Sequence, residues 1–211
     1  MRLYNANFSP NALRVRAVAF ELGIDIEIVE VDLRKGDNRA GEFLRRNPNA
    51  KVPVLEDGDF FLWESRAICG YLVSQTPDAG LVPSAPRKRA LMDQWAWWQA
   101  IHLGPAMQRL SFELFLKEKL GMGDADHAAV EAERKATDHF LDVLEEGLAR
   151  LDWITGDLSL ADFYLATTFM YRKQAAISLE TRPAVAAWIE RLEARDSWHK
   201  AMVPLNALLG L

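Results

Sequence analysis

The sequence predicts an α/β domain followed by an all-α domain, and three observations carry that reading. A strand–helix–strand pattern fills about the first 30 residues, the span of a right-handed βαβ unit with parallel strands. Two short apolar runs flank Asp57-Gly58, a preferred pair for a tight turn, so they form an antiparallel hairpin. Beyond Pro77, Pro83 and Pro86 every segment keeps helical spacing. The chain therefore divides into a first domain over residues 1–78, a proline-marked linker and an all-helical domain over residues 87–211.

Each element has a local cause. Residues 1–6 read as a strand weakened by Asn5. Ser9-Pro10 starts a helix, with Ser9 as cap and Pro10 in the first helical position; Leu13, Ala17 and Phe20 share a face, and Gly23 ends it. Residues 26–31 are β-branched and partly alternating, a second strand. A polar stretch over 34–40 leads to a short helix over 41–46, stopped by Asn47-Pro48. Strands follow over 51–55 and 60–63, and Pro53 marks the first as an edge or a special backbone. A helix opens at Ser65 and runs through Ile68 and Leu72, giving the order β-α-β, short α, β-β-α. In the second half, residues 87–120 form a long helix with a kink at Gly104-Pro105. A helix after Gly123-Asp124 carries Val130, Thr137, Phe140, Leu144, Leu148 and Leu151 at helical spacing. Ser159 and Asp162 form a reciprocal capping pair, and the final helix covers residues 183–194.

Composition excludes several functions. The 211 residues carry 25 Lys and Arg against 30 Asp and Glu, a formal charge of −5, which argues against general affinity for nucleic acid or anionic membranes. The six-residue apolar run 184–189 is far short of the roughly 18–20 residues that span a bilayer. Asn5, Asn7, Ser9 and Asn11 interrupt any signal-peptide core. One cysteine, Cys69, excludes an internal disulfide and a multi-cysteine zinc site; inside its helix it reads as a buried apolar residue. His102, His127, His139 and His199 show no metal spacing, so no metal is expected.

Three segments could carry chemistry, and each also has a plain structural role. Val52-Pro53 is either an aggregation-blocking edge or a cis bond that frees the Val52 backbone to pair with an extended peptide-like ligand. Glu64-Ser65 is either an ordinary helix cap or an anion site in which Ser65 and free N–H groups hold a carboxylate while Glu64 holds an ammonium. Phe8-Ser9-Pro10-Asn11 is either a cap or a place where the Ser9 hydroxyl and the helix end favour a ligand thiolate. A thiol of pKa about 8.5 is only about 3% ionised at pH 7, and lowering that pKa by about two units requires about 2.7 kcal/mol. One hydroxyl bond to an anion, about 1.5–3 kcal/mol, together with a helix terminus is of that size. Together the segments describe an amino-acid head, a central thiol and a distal carboxylate, which is glutathione.

The element order, the segment Asn47 to Leu55 and Glu64-Ser65 resemble the thioredoxin-like N-terminal domain of cytosolic glutathione S-transferases. The helical half is similar to their C-terminal domain, with residues 156–162 similar to its helix-capping segment. The resemblance leans to bacterial, serine-type members of phi- or theta-like kind. It implies that Ser9 stabilises the glutathione thiolate, sharing the role with Asn11 or ceding it, as some bacterial relatives use an asparagine there. It implies that Val52, before cis-Pro53, pairs with the cysteinyl unit, that Glu64 and Ser65 bind the γ-glutamyl head, and that Lys51, Asn38 and Arg39 meet the rest of the peptide. The Ser-Ser-Cys segment of the zeta class is absent, which disfavours maleylacetoacetate isomerisation. Phe8, His102, Met107 and Phe112 are the pocket residues expected to meet an apolar electrophile. Glutathione is expected as co-substrate with no other cofactor, in a cytoplasmic homodimeric detoxification enzyme. Two rivals remain open: a glutathione-dependent peroxide or disulfide reductase using Asn11, and a non-catalytic partner-binding module of the same fold.

Overall fold

The structure, a computed structural model, describes residues 1–210. Its first seven elements follow the expected order: β1 (Arg2–Asn5), α1 (Pro10–Glu21), β2 (Glu27–Glu30), α2 (Gly41–Arg46), β3 (Val54–Asp57), β4 (Phe60–Trp63) and α3 (Ser65–Gln75). They build a four-stranded mixed sheet in the order β2-β1-β3-β4. β1 and β2 are parallel, as the intervening helix requires, and the other two pairings are antiparallel. Asp57 pairs with Phe60, so Gly58-Asp59 is the two-residue hairpin loop, and Gly58 supplies its positive φ of 64°. This half is the thioredoxin-like architecture.

Helix α1 is buried on every side from Ala12 to Ala19, including Arg14 and Arg16. A helix of this kind belongs to the middle of a domain, and its two arginines must find acceptors there.

The remaining elements are helical. α4 (Pro86–Trp98), a π-helical turn over Gln99–Leu103, α5 (Gly104–Ser111), a second π-turn over Phe112–Leu116 and α6 (Lys117–Lys119) run on one from another. The kink expected at Gly104-Pro105 is thus absorbed as a widened turn. Pro105 has no N–H to bond the Ile101 carbonyl, and a Cβ on Gly104 would stand 2.6 Å from the Gln99 carbonyl oxygen. α7 (His127–Leu148), α8 (Leu160–Ala166) and α9 (Pro183–Glu193) follow.

The capping pair before α8 forms, and it reaches further than a cap. The Asp162 carboxylate, fully buried, accepts bonds from the Ser159 N–H (2.9 Å), the Ser159 hydroxyl (3.0 Å), the Ile154 N–H (2.9 Å) and the Trp188 indole (3.0 Å). Burial pushes the carboxyl pKa up, against the pull of those bonds.

The chain adds one helix beyond the last that the sequence predicts, α10 (Asp196–Leu209), which tolerates Pro204 inside it. By contacts the protein divides into two compact units, Met1–Ala79 together with the segment from Ala194 onward, and Gly80–Glu193. The C-terminal helix therefore belongs with the sheet, whereas the sequence reading assigned it to the helical domain. The buried charge of α1 explains this. Arg16 donates to the Ala201 carbonyl from Nε (3.2 Å) and from a terminal nitrogen (3.0 Å), and also bonds the Asn5 side chain. At the other end of α1, Glu21 accepts from Arg195 and from the Ser197 hydroxyl (2.5 Å).

Two outcomes test this packing. Asp162→Ala orphans four donors, three of them in or around a buried turn, and should lower unfolding free energy by about 3 kcal/mol or more in denaturant titrations; a loss within about 1 kcal/mol would mean the network is not holding α8 and α9 together. Burial raises the Glu21 carboxyl, but its bonds to Arg195 and Ser197 outweigh that and hold it below the usual glutamate value. A depressed carboxyl stabilises the fold above its unfolded pKa of about 4.3, and the benefit is lost as pH falls through the lower folded value. The stability gap between wild type and Glu21→Gln should accordingly be full at neutral pH and close on acidification below about pH 4; melting curves giving an equal gap at both ends would refute the role of the charge.

Candidate functional site

Two helix N-termini meet in the first unit. α1 begins at Ser9, whose backbone is extended (φ −89°, ψ 119°) and whose Oγ accepts the Ala12 N–H at 3.3 Å. That bond uses an oxygen lone pair, so the hydroxyl proton stays available to an anion. Asn11 lies in the first turn with its side chain exposed. α3 begins at the buried Ser65, after Glu64, which is exposed and adopts φ 71°, unusual for a non-glycine residue. Ser65 Oγ stands 3.5 Å from Asn11 Oδ1, so the two helix starts share one location.

What ties them together is a side chain the sequence reading passed over. Arg14, 3% exposed, donates from one terminal nitrogen to both Asn11 Oδ1 (2.6 Å) and Ser65 Oγ (2.6 Å). The signal was present: an arginine in the middle of an apolar helix, three residues after an asparagine, shares a helical face with it. Two partial positive helix ends and a guanidinium converge here, an arrangement suited to an anion.

The Val52–Pro53 peptide bond is cis. Trp63 pairs with Val54, so Pro53 and Glu64 flank the same end of the β3–β4 pair. The loop leading to Val52 is braced on both sides. Asn47, 2% exposed, donates to the Lys51 carbonyl (2.8 Å), and Asn38 donates to the Ala50 carbonyl (2.6 Å). The sequence reading used Asn47 as a helix stop and as the start of the Asn47 to Leu55 segment, without giving its side chain a task. Asn38 thus uses one of its two amide N–H groups to hold the loop, and Lys51 and Arg39 are the exposed cations of this rim.

The pocket residues separate. Phe8 is half-buried against the cluster of Ala6, Val31, Phe43, Val52 and Val54 in the first unit. In the second unit His102 is exposed and lies against Phe140, with ring centroids 5.5 Å apart. Phe112 lines an open cleft of about 520 Å³ with Pro105, Gln108, Arg109 and Glu113. Met107 is fully buried, so it is packing rather than lining. Cys69 is also fully buried; burial pushes its thiol up to about 12, which leaves it protonated and unreactive.

Family models match both halves: glutathione S-transferase, N-terminal domain, over residues 1–74, and glutathione S-transferase, C-terminal domain, over residues 102–196. A glutathione S-transferase from Hyoscyamus muticus is 35% identical over 207 residues, covering 96% of this chain and 97% of the relative. Among solved structures, glutathione S-transferase I bound with lactoylglutathione superposes with a TM-score of 0.89 at 31% identity, covering 96% of this chain and 98% of that one. The maize glutathione S-transferase I in complex with an atrazine glutathione conjugate gives 0.89 and 31%, with 97% of each chain covered. Hyoscyamus muticus and maize are plants, which departs from the bacterial kin that the sequence suggested. With both family models matched in order along a chain of the same length and fold, the protein belongs to the glutathione S-transferase family.

Proposed function

We propose that the protein is a glutathione transferase of the serine-type, phi-like kind, which holds glutathione as a thiolate for attack on an apolar electrophile. The observation that carries this is the meeting of the α1 and α3 N-termini, where Ser9 caps α1 and the Ser65 hydroxyl oxygen accepts from a buried guanidinium. The Ser9 hydroxyl donates to the sulfur. Val52 pairs its backbone with the cysteinyl unit, Ser65 holds the α-carboxylate, and Glu64 holds the ammonium of the γ-glutamyl head. Lys51 and Arg39 serve the glycyl carboxylate. Proximity and thiolate stabilisation do the chemistry, so glutathione is the only small molecule the reaction needs besides its electrophile. A relative of known structure carries an atrazine glutathione conjugate, which supports a largely apolar electrophile. In the second unit we place the electrophile in the cleft beside Phe112, whose rim also carries Gln108, Arg109 and Glu113.

The working form is a cytoplasmic homodimer with a detoxifying role. Among the described residues no helix is long and apolar enough to cross a membrane. β4 is an edge strand that exposes Phe60, Phe61 and Trp63, and the second unit exposes Trp97 and Ile101, each 62% accessible. Apolar surface of this kind is typical of protein contacts.

Titration with glutathione is the first test. Binding should bring ultraviolet thiolate absorbance at neutral pH; no binding at millimolar concentration would end the proposal. Ser9→Ala should raise the bound thiol pKa by about one unit and lower turnover with an aryl halide roughly 10- to 100-fold. An unchanged thiolate in that variant would pass the role to Asn11. Sedimentation should return twice the chain mass, and a monomer at micromolar concentration would remove the dimer.

A further inference from the structure

We infer that Arg14 is a positioning residue that makes Asn11 and Ser65 present hydrogen-bond donors to bound glutathione. The inference rests on the glutathione reading and adds a residue to it. A guanidinium donates and never accepts. Both short bonds from Arg14 therefore end on oxygens, Asn11 Oδ1 and Ser65 Oγ, each at 2.6 Å. An amide whose oxygen is held by the guanidinium can offer only its NH2 group elsewhere, and Asn11 is exposed. The same argument applies to Ser65. Its oxygen accepts from Arg14, and the acceptor beside its own proton, Asn11 Oδ1, stands at 3.5 Å, at the limit for a hydrogen bond. That long contact holds the Ser65 proton weakly, and a carboxylate at ordinary hydrogen-bond distance would take the proton from it.

Without the guanidinium, each side chain has two competing orientations. Asn11 could turn its carbonyl oxygen toward the sulfur, which would repel a thiolate. Ser65 could point its proton at Asn11 and meet a carboxylate with lone pairs. Arg14 removes the wrong choice for Asn11 and weakens that for Ser65 by holding the Asn11 oxygen at 2.6 Å, against 3.5 Å for the Ser65 hydroxyl. It need not touch the ligand to do so.

The test compares wild type with Arg14→Met, Arg14→Lys and Asn11→Ala, each checked first by thermal melting. The readouts are glutathione Kd, the pKa of the bound thiol and the separation of KM from kcat. Folded Arg14→Met should bind glutathione about tenfold more weakly. Its bound thiol pKa should rise by about one unit, with Arg14→Lys recovering part of both. Adding Asn11→Ala to Arg14→Met should move the thiol pKa no further, because the amide has already lost its orientation. A folded Arg14 variant that matches wild type in both Kd and thiol pKa overturns the inference. Where the Arg14 variants do not fold, Asn11→Ala decides: a raised thiol pKa supports the donor role, and an unmoved one overturns it. A wild-type protein that fails to bind glutathione would sink the functional reading itself, a result distinct from a binding wild type matched by its variants.

Discussion

The site depends on an electrostatic constraint: two helices start at the same point. Each N-terminus presents unsatisfied N–H groups and a partial positive charge, so bringing α1 and α3 together is unfavourable in itself. Arg14 holds them there, yet it adds a full positive charge to the same place. Its bonds to Asn11 and Ser65 fix the geometry of the two helix starts. Such a location is stabilised when an anion arrives, and a tripeptide carrying a thiolate and a carboxylate matches it better than water does. A net charge of −5 over the whole chain coexists with this, since binding is set by the donors within a few ångströms.

The same first helix carries a second buried arginine with a different task. Arg16 joins α10 to the strand end: it bonds the Ala201 carbonyl on one side and the Asn5 side chain on the other. Asn5 in turn donates to Asn7 (2.8 Å) and to Glu30 (2.6 Å), and Glu30 also accepts the Asn7 N–H (3.0 Å). The chain then turns through a Ser9 N–H bond to the Ala6 carbonyl (2.9 Å) into the cap of α1. A continuous set of bonds therefore runs from the C-terminal helix to the turn that places Ser9. This gives α10 a reason to pack against α1 in the first unit.

Local signals were legible in the sequence because their causes are local. Ser9-Pro10 caps α1, Asp57-Gly58 marks the hairpin, whose loop is Gly58-Asp59, one residue later than the pair itself, and Ser159 with Asp162 starts α8, each within four residues of its own signal. Pro53 was legible as a special backbone for the same reason. What escaped were partners far apart in the chain. Arg14 and Arg16 read as ordinary helix charges until α3 and α10 supply their acceptors, 51 and 185 residues away. Asn38 reads as a free donor near a carboxylate until the Ala50 carbonyl takes it. Met107 reads as pocket lining because helical spacing cannot tell a core face from a cleft face.

The two sulfur environments show how finely this arrangement discriminates. Cys69 sits one turn into α3, within four residues of Ser65, and its Sγ faces the carbonyl oxygen of Arg14 at 3.8 Å. Full burial favours the protonated thiol and pushes its pKa up to about 12, against the pull of the Arg14 and Arg66 charges. A ligand sulfur at the start of α1 would meet the reverse: a hydroxyl proton, the N-terminal end of a helix and access to water, all of which favour the thiolate. The same residue, Arg14, turns its carbonyl to one sulfur and its guanidinium toward the other site. A chain built this way has every reason to bury its own thiol and to borrow a reactive one.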